Sequence, residues 1–86
     1  MQIYTSSHFR RRYKKLNKEI KKRAQEREKV FVANIFDPRI ETHKLHGKLK
    51  EQWSYSIGYD HRIAFIFLEN GDVLYVDVGT HDELYR

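Results

Sequence analysis

Four of the five histidines fall in the second half of the chain, at His43, His46, His61 and His81. An imidazole titrates near neutral pH, so it can take a proton in one step and return it in another. Taken singly, a histidine is more often a surface residue without a task. His81 stands apart, because the strand pattern before it brings it to the same end of a sheet as Arg62. A guanidinium is planar and permanently charged, which suits it to holding a phosphate. Its plainer reading is an ordinary strand arginine paired with Asp77 on the same face. Tyr85 lies four positions after His81, a spacing that brings two residues together on one helical turn. Its ring is suited to stacking on a base, or simply to packing against Tyr75. Metal ligation is the competing use of the histidines. His43-x-x-His46 and His81-Asp82 are the only close-spaced groups, and neither pattern is specific in a chain without cysteine. No metal and no cofactor is expected.

These residues need a sheet to hold them. Arg62-Ile63-Ala64-Phe65-Ile66-Phe67-Leu68 and Val73-Leu74-Tyr75-Val76-Asp77-Val78 are β-branched and aromatic runs on either side of Asn70-Gly71. That dipeptide tolerates positive φ and predicts a two-residue type I′ hairpin. The register then pairs Phe67 with Leu74, Phe65 with Val76, Ile63 with Val78 and Arg62 with Gly79. Phe67, Phe65, Ile63, Leu74, Val76 and Val78 share an apolar face that must be covered. Arg62, Ala64, Ile66, Tyr75 and Asp77 share the other, open face. Before them, Trp53, Tyr55 and Ile57 alternate with Ser54 and Ser56. A three-residue loop Gly58-Tyr59-Asp60 sets Tyr55 opposite Ile63 and Ser56 opposite Arg62, and puts both serines on the open face.

The first half supplies the cover. Met1 to Thr5 reads as a short strand, and Ser6 or Ser7 as a helix N-cap. Phe9, Tyr13, Leu16, Ile20, Ala24, Phe31 and Ile35 recur at helical spacing, interrupted by Arg27. Asn17 is a break, so two helices are predicted, roughly 6–16 and 18–36, ended by Asp37-Pro38. Residues 39 to 52 read as a short strand or loop with a turn at Gly47, and the tail from Thr80 as a single turn. The fold class is α+β: an N-terminal strand and helical hairpin packed on one face of a twisted antiparallel sheet, in one domain spanning 1–86.

Charge is unevenly spread. Ser6 to Lys29 holds eleven Lys and Arg against three Glu, a local +8 within a net +5, so the remainder carries −3. Such a stretch is a footprint for nucleic acid, an acidic protein partner or, more blandly, a solvated helix face. The absence of cysteine and of an apolar leader suits a reducing, cytoplasmic setting. The longest apolar run, Ile63 to Leu68, is too short to span a bilayer, so no membrane role is expected.

The span from His43 to Tyr85 resembles the RelE/ParE superfamily of bacterial toxins, above all its YafQ, YoeB and RelE-like branch. The resemblance rests on His43-Lys44-Leu45 with Gly47 and Leu49, Trp53-Ser54, Tyr59-x-His61-Arg62-Ile63, and Gly79-Thr80-His81-x-x-x-Tyr85. Phe9, Tyr13, Leu16 and Ile20 fit the N-terminal helical hairpin of that family. The resemblance implies a fold like that of microbial ribonucleases, a cognate antitoxin, and cleavage of mRNA in the decoding site of the ribosome. It implies Arg62 as the phosphate-binding arginine, His81 as the C-terminal catalytic histidine, Tyr85 as the aromatic that seats the substrate, and His43 in the place of a base. His61, Lys44, His46, Lys48 and Lys50, with Arg10, Arg11 and Lys14 on the first helix, are then the RNA-binding candidates. These residues suit transesterification: His43 takes the 2′-hydroxyl proton, Arg62 steadies the phosphorane and His81 protonates the leaving 5′-oxygen. The product is a 2′,3′-cyclic phosphate, and the internal nucleophile requires no metal. The other readings are a ParE-type gyrase inhibitor of the same fold and a non-catalytic RNA-binding module.

Overall fold

The structure, a computed structural model, describes residues 1–47 and 51–85. Strand β1 (Ile3–Thr5) leads into α1 (Ser7–Lys14) and α2 (Lys18–Ala33). A 3₁₀ turn (Pro38–Ile40) then precedes β2 (His43–Leu45), β3 (Gln52–Gly58), β4 (His61–Phe67), β5 (Val73–Thr80) and α3 (His81–Leu84). The five strands lie in the order β1-β5-β4-β3-β2. All pairs are antiparallel except β1 with β5, which run parallel, so the sheet is mixed rather than purely antiparallel.

The two long helices begin where their capping residues stand. Ser6 Oγ accepts from the Phe9 N–H and Asn17 Oδ1 from the Ile20 N–H, each satisfying a donor that has no partner inside its helix. Helix α2 stops at Ala33, short of the expected 36, because Asn34 leaves the helix in an extended conformation (φ −158°). Asp37 starts the next turn instead, its carboxylate accepting from the Arg39 N–H. Both helices cover one face of the sheet. Phe31 is the centre of that core, stacked on Tyr55 at 4.4 Å and edge-on to Phe65 at 5.0 Å. Tyr75 donates to Glu28 (2.9 Å), which leaves Tyr55 to donate to Tyr75 (2.8 Å). Burial holds both phenols well above their ordinary pKa.

The Asn70-Gly71 hairpin differs from the expected type I′ turn. Only Gly71 has positive φ (86°). The Gly71 N–H donates to Leu68 O (3.0 Å) and the Leu68 N–H to Asp72 O (2.8 Å), which makes a three-residue loop closed by a glycine bulge. The register near the loop is therefore one residue off: Phe67 pairs with Val73 and Phe65 with Tyr75. A bulge then leaves Val76 without a partner and restores Ile63↔Val78 and Arg62↔Gly79 as expected. The physical reason lies in Tyr75. The shift turns its ring into the helix-side core, beside Phe9 at 5.2 Å, and gives its hydroxyl two partners. Val76 moves to the second face, and Leu74 is only half-buried. Phe67, expected under cover, stays 39% exposed.

At the other end of β4 the expected pairs hold: Trp53↔Phe65, Tyr55↔Ile63 and Ser56↔Arg62. The loop is shorter than expected, since Gly58 pairs with His61 and only Tyr59 and Asp60 turn the chain, both at positive φ (52° and 63°). The second face is not fully open. Leu84 of α3 packs on Ala64 and Leu45 there, forming a small second core that anchors the C-terminal turn.

Candidate functional site

Arg62 lies on this second face, two positions before Ala64 on β4, and its surroundings were only partly legible from sequence. It is 7% exposed. Its Nε donates to Ser54 Oγ at 2.7 Å, and its Nη2 to the Glu41 carbonyl at 2.7 Å and the Ser54 carbonyl at 3.3 Å. The expected partnership with Asp77 does not form. That carboxylate faces the first helix instead, 3.2 Å from His8 Nε2 and 3.5 Å from Arg12 Nε. Burial pushes the Arg62 pKa below its ordinary value, and Tyr85, Glu41 and Asp60 pull it back up. Three oxygens thus replace the water lost by a buried cation. Two of its three nitrogens are committed to protein. Nη1 has no hydrogen-bond partner among the described residues.

Glu41 is the residue that sequence reasoning missed. It ends the 3₁₀ turn in the left-handed region (φ 49°), where a non-glycine residue is uncommon. That conformation turns its carbonyl towards both Arg62 and His43. His43 Nδ1 is 2.9 Å from the Glu41 oxygen and 3.2 Å from Arg62 Nη2. A carbonyl oxygen can only accept and a guanidinium can only donate, so the two contacts compete for Nδ1. The shorter one, to Glu41, is met with the proton on Nδ1, and Arg62 Nη2 is then a close neighbour of the ring rather than a donor to it. The neutral ring then carries its lone pair on Nε2. Nε2 meets the Tyr85 hydroxyl at 2.5 Å, and in this tautomer the phenol is the donor.

His81 completes the group. Its ring stacks on Tyr85 with centroids 4.2 Å apart, as the four-residue spacing implied, and its Nδ1 lies 3.7 Å from Asp82 Oδ1. The turn that holds both is fixed by a capping box: Thr80 Oγ1 accepts from the Glu83 N–H while Glu83 accepts from the Thr80 N–H. Those bonds, led by the one from the Thr80 backbone, hold the Glu83 carboxyl below the usual carboxylate range. Gly79 makes the fit possible, since a Cβ there would sit 2.4 Å from Arg12 Nη2 and 2.7 Å from Glu83 Oε1. Two imidazoles therefore flank one phenol, above a buried cation. His43, His81 and Tyr85 are all solvent-facing, so a ligand has access to each.

The remaining candidates scatter. Lys44 is on β2 next to His43, but its ammonium is bound to Glu51 at 2.7 Å and lies 5.8 Å from the Trp53 ring. His46 is exposed in the turn after β2, and Lys48 and Lys50 lie outside the described residues. His61 sits apart from His43, beside Arg12, Lys15 and Leu16 of the helical layer. Arg10 donates to Thr5 O and Thr5 Oγ1, while Arg11 and Lys14 are exposed on α1. Among the described residues no three His, Cys, Asp or Glu side chains converge as a metal site would need. No described helix is long and apolar enough to cross a membrane.

A short strand, a helical hairpin and a four-stranded meander ending in a capped turn are the RelE-like toxin fold expected from the sequence. Solved toxin structures superpose on nearly the whole chain. YafQ from E. coli strain BL21(DE3) aligns at a TM-score of 0.78 with 15% identity, covering 99% of this chain and 98% of that one. The YoeB dimer from Staphylococcus aureus aligns at 0.74 with 20% identity, over 94% and 97%. The archaeal RelE–RelB complex from Pyrococcus horikoshii OT3 aligns at 0.71 with 12% identity, over 92% of each chain. At these identities the likeness is one of fold. No family model matches the sequence, and no curated protein sequence matches it.

Proposed function

We propose that this protein is the toxin of a type II toxin–antitoxin pair and that it acts as an endoribonuclease on mRNA held in the ribosome. One observation carries the catalytic half of this reading: His43, Tyr85 and His81 stand together at the surface over the buried Arg62. The fold supports the toxin half. RelE–RelB complexes from Pyrococcus horikoshii and Methanococcus jannaschii give precedent for an antitoxin partner on this fold. Ribosome and message place the work in the cytoplasm.

The chemistry follows from the tautomer. With its proton on Nδ1, His43 offers Nε2 as the base for the 2′-hydroxyl. The Tyr85 hydroxyl occupies that lone pair in the free protein, so the substrate hydroxyl takes its place. The 2′-oxygen attacks phosphorus, the bond to the 5′-oxygen breaks, and His81 supplies the proton for the leaving oxygen. A 2′,3′-cyclic phosphate and a 5′-hydroxyl result. Arg62 acts from beneath, since Nε and Nη2 are committed to Ser54 and Glu41. It lends its charge, with Nη1 as the donor left for a phosphate oxygen. Tyr85 has one ring face against His81, which leaves the other for a base.

Expression without a partner should arrest growth with loss of cellular mRNA, and a cognate antitoxin should relieve it. Growth arrest with intact mRNA and inhibited gyrase supercoiling would instead establish the ParE-type reading.

A further inference from the structure

The β3–β4 turn carries an aromatic ring where turn chemistry favours asparagine or glycine. Tyr59 has φ 52°, and a bulky side chain there strains the backbone. Burial does not offset that strain, because Tyr59 is 62% exposed. Its close neighbour is a cation: Arg23 Cζ of α2 lies 4.8 Å from the ring centroid. Arg23 Nε is buried with no hydrogen-bond partner among the described residues. Gly58 admits the guanidinium, as a Cβ there would stand 3.0 Å from that Nε. An exposed strained aromatic and a buried unpaired donor are both unfavourable, and neither adds to the core.

The surroundings combine a ring face with polar and charged groups. His61 lines two adjoining hollows. One encloses about 500 Å³ with Asn17, Glu19, Ile20 and Tyr59. The other encloses about 380 Å³ and includes Arg12, Lys15 and Glu83. Arg12, Lys15, Glu19 and Glu83 line these hollows, with Arg23 on the Tyr59 ring and Asp60 exposed in the loop. Glu83 and Arg12 hold each other, and Arg12 also reaches Asp77, so the charges that remain, Lys15 and Arg23 against Glu19 and Asp60, balance. His61 Nδ1 donates to the Tyr59 carbonyl at 2.9 Å, which leaves Nε2 with no partner among the described residues. The Asp60 carbonyl accepts from the His81 N–H, tying this loop to the turn that carries His81 and Tyr85.

We propose that this hollow is a second RNA subsite, in which an unpaired base of a single strand stacks on Tyr59 while its phosphate reaches Lys15 and His61. The subsite rests on the reading of RNA as substrate. Aromatic rings beside cations hold single strands without sequence preference, because every base offers a π face. Arg23 on the ring strengthens the platform from the other side. RNA leaving the His43 cluster then rounds the Asp60 loop into the hollow.

The test is binding of a fluorescent 2′-O-methyl oligonucleotide, single-stranded and uncleavable, to the full chain by anisotropy over a salt series. Tyr59→Asn keeps the turn, since asparagine tolerates positive φ, so its melting temperature should hold or rise. Its affinity should fall roughly five- to a hundredfold, the worth of one stacked base, with no change in salt dependence. Tyr59→Phe should bind within about twofold of wild type, because the π face remains. Lys15→Gln should flatten the slope of log affinity against log salt by about 0.7, one phosphate contact. Equal binding by wild type and Tyr59→Asn, or binding by neither, overturns the subsite. If message on ribosomes is still cleaved in that case, the subsite alone is lost and the ribonuclease reading stands.

Discussion

Arg62→Lys separates two accounts of the buried arginine. If Arg62 served only as a surface clamp on phosphate, lysine would keep the charge and leave the fold untouched. The geometry predicts otherwise. Nε and Nη2 reach two acceptors on different elements, Ser54 Oγ at 2.7 Å and the Glu41 carbonyl at 2.7 Å. One ammonium on a flexible stem cannot reproduce that fork. Ser54 is 0% exposed, so water cannot replace the lost donor. A buried acceptor left unsatisfied costs about 1–3 kcal/mol. For a domain of this size each kcal/mol lowers the melting temperature by roughly 4–8 °C, so a fall of roughly 5–20 °C is expected. Activity should fall further than stability, because the Glu41 carbonyl also orients His43. A lost charge-stabilising donor alone lowers the rate about a hundred- to a thousandfold. Circular dichroism melting and single-turnover cleavage of ribosome-bound message read the two effects separately. An Arg62→Lys protein that melts within about 2 °C of wild type, far inside the expected shift, and cleaves at the wild-type rate would refute the reasoning.

Other substitutions probe the rest of the site. His43→Ala and His81→Ala should fold normally, because both rings are solvent-facing, and each should slow single-turnover cleavage by about a hundred- to ten-thousandfold. Glu41→Gly should keep near wild-type cleavage, since glycine adopts φ 49° freely. Glu41→Val should lose about 1–3 kcal/mol of stability by denaturant titration and most of the activity, because a β-branched residue at positive φ pulls the carbonyl away from Arg62 and His43. The Asp37 carboxyl is held down to about 2 by the Arg39 side chain, with a further bond from its backbone N–H. A depressed acid stabilises the fold fully above its unfolded pKa of about 3.9 and loses that contribution as pH falls towards the folded value. Acid titration of Asp37→Asn should therefore be flatter than wild type between about pH 4 and 2.

The sequence was most informative where one local rule acted alone. Ser6 and Asn17 cap the helices that their side chains suit, the tail from Thr80 forms the expected single turn, and the spacing of His81 and Tyr85 gave their stacking directly. It was less informative where a distant partner decided. Asn70-Gly71 reads as a two-residue turn, yet the demand of Tyr75 for Phe9, Tyr55 and Glu28 shifts the register and leaves Val76 as a bulge. The type I′ pattern of positive φ sits instead at Tyr59-Asp60, where Asp60 suits the turn but no turn rule favours Tyr59. Phe67 was expected in the core because alternation says nothing about where helix α2 ends. The candidate site divides the same way. Strand pairing sets Ser56 opposite Arg62 and puts Ser54 on the same face, but that the bond forms to Ser54 does not follow from it. The contact of His43 with Tyr85, 42 residues away, depends on β2 pairing with β3 and on Leu84 docking against Leu45 and Ala64. The role of Glu41 depends on a backbone conformation that carries no sequence signature.

The central claim is that this surface cuts message on the ribosome through His43 and His81. Primer extension on a translating message tests it most directly, with purified protein, with and without 70S ribosomes, and with end-group analysis of the products. The account predicts discrete cuts only when ribosomes are present, 2′,3′-cyclic phosphate and 5′-hydroxyl ends, and loss of the cuts with His43→Ala. Full-length message in every lane, or equal cleavage by wild type and His43→Ala, would contradict it.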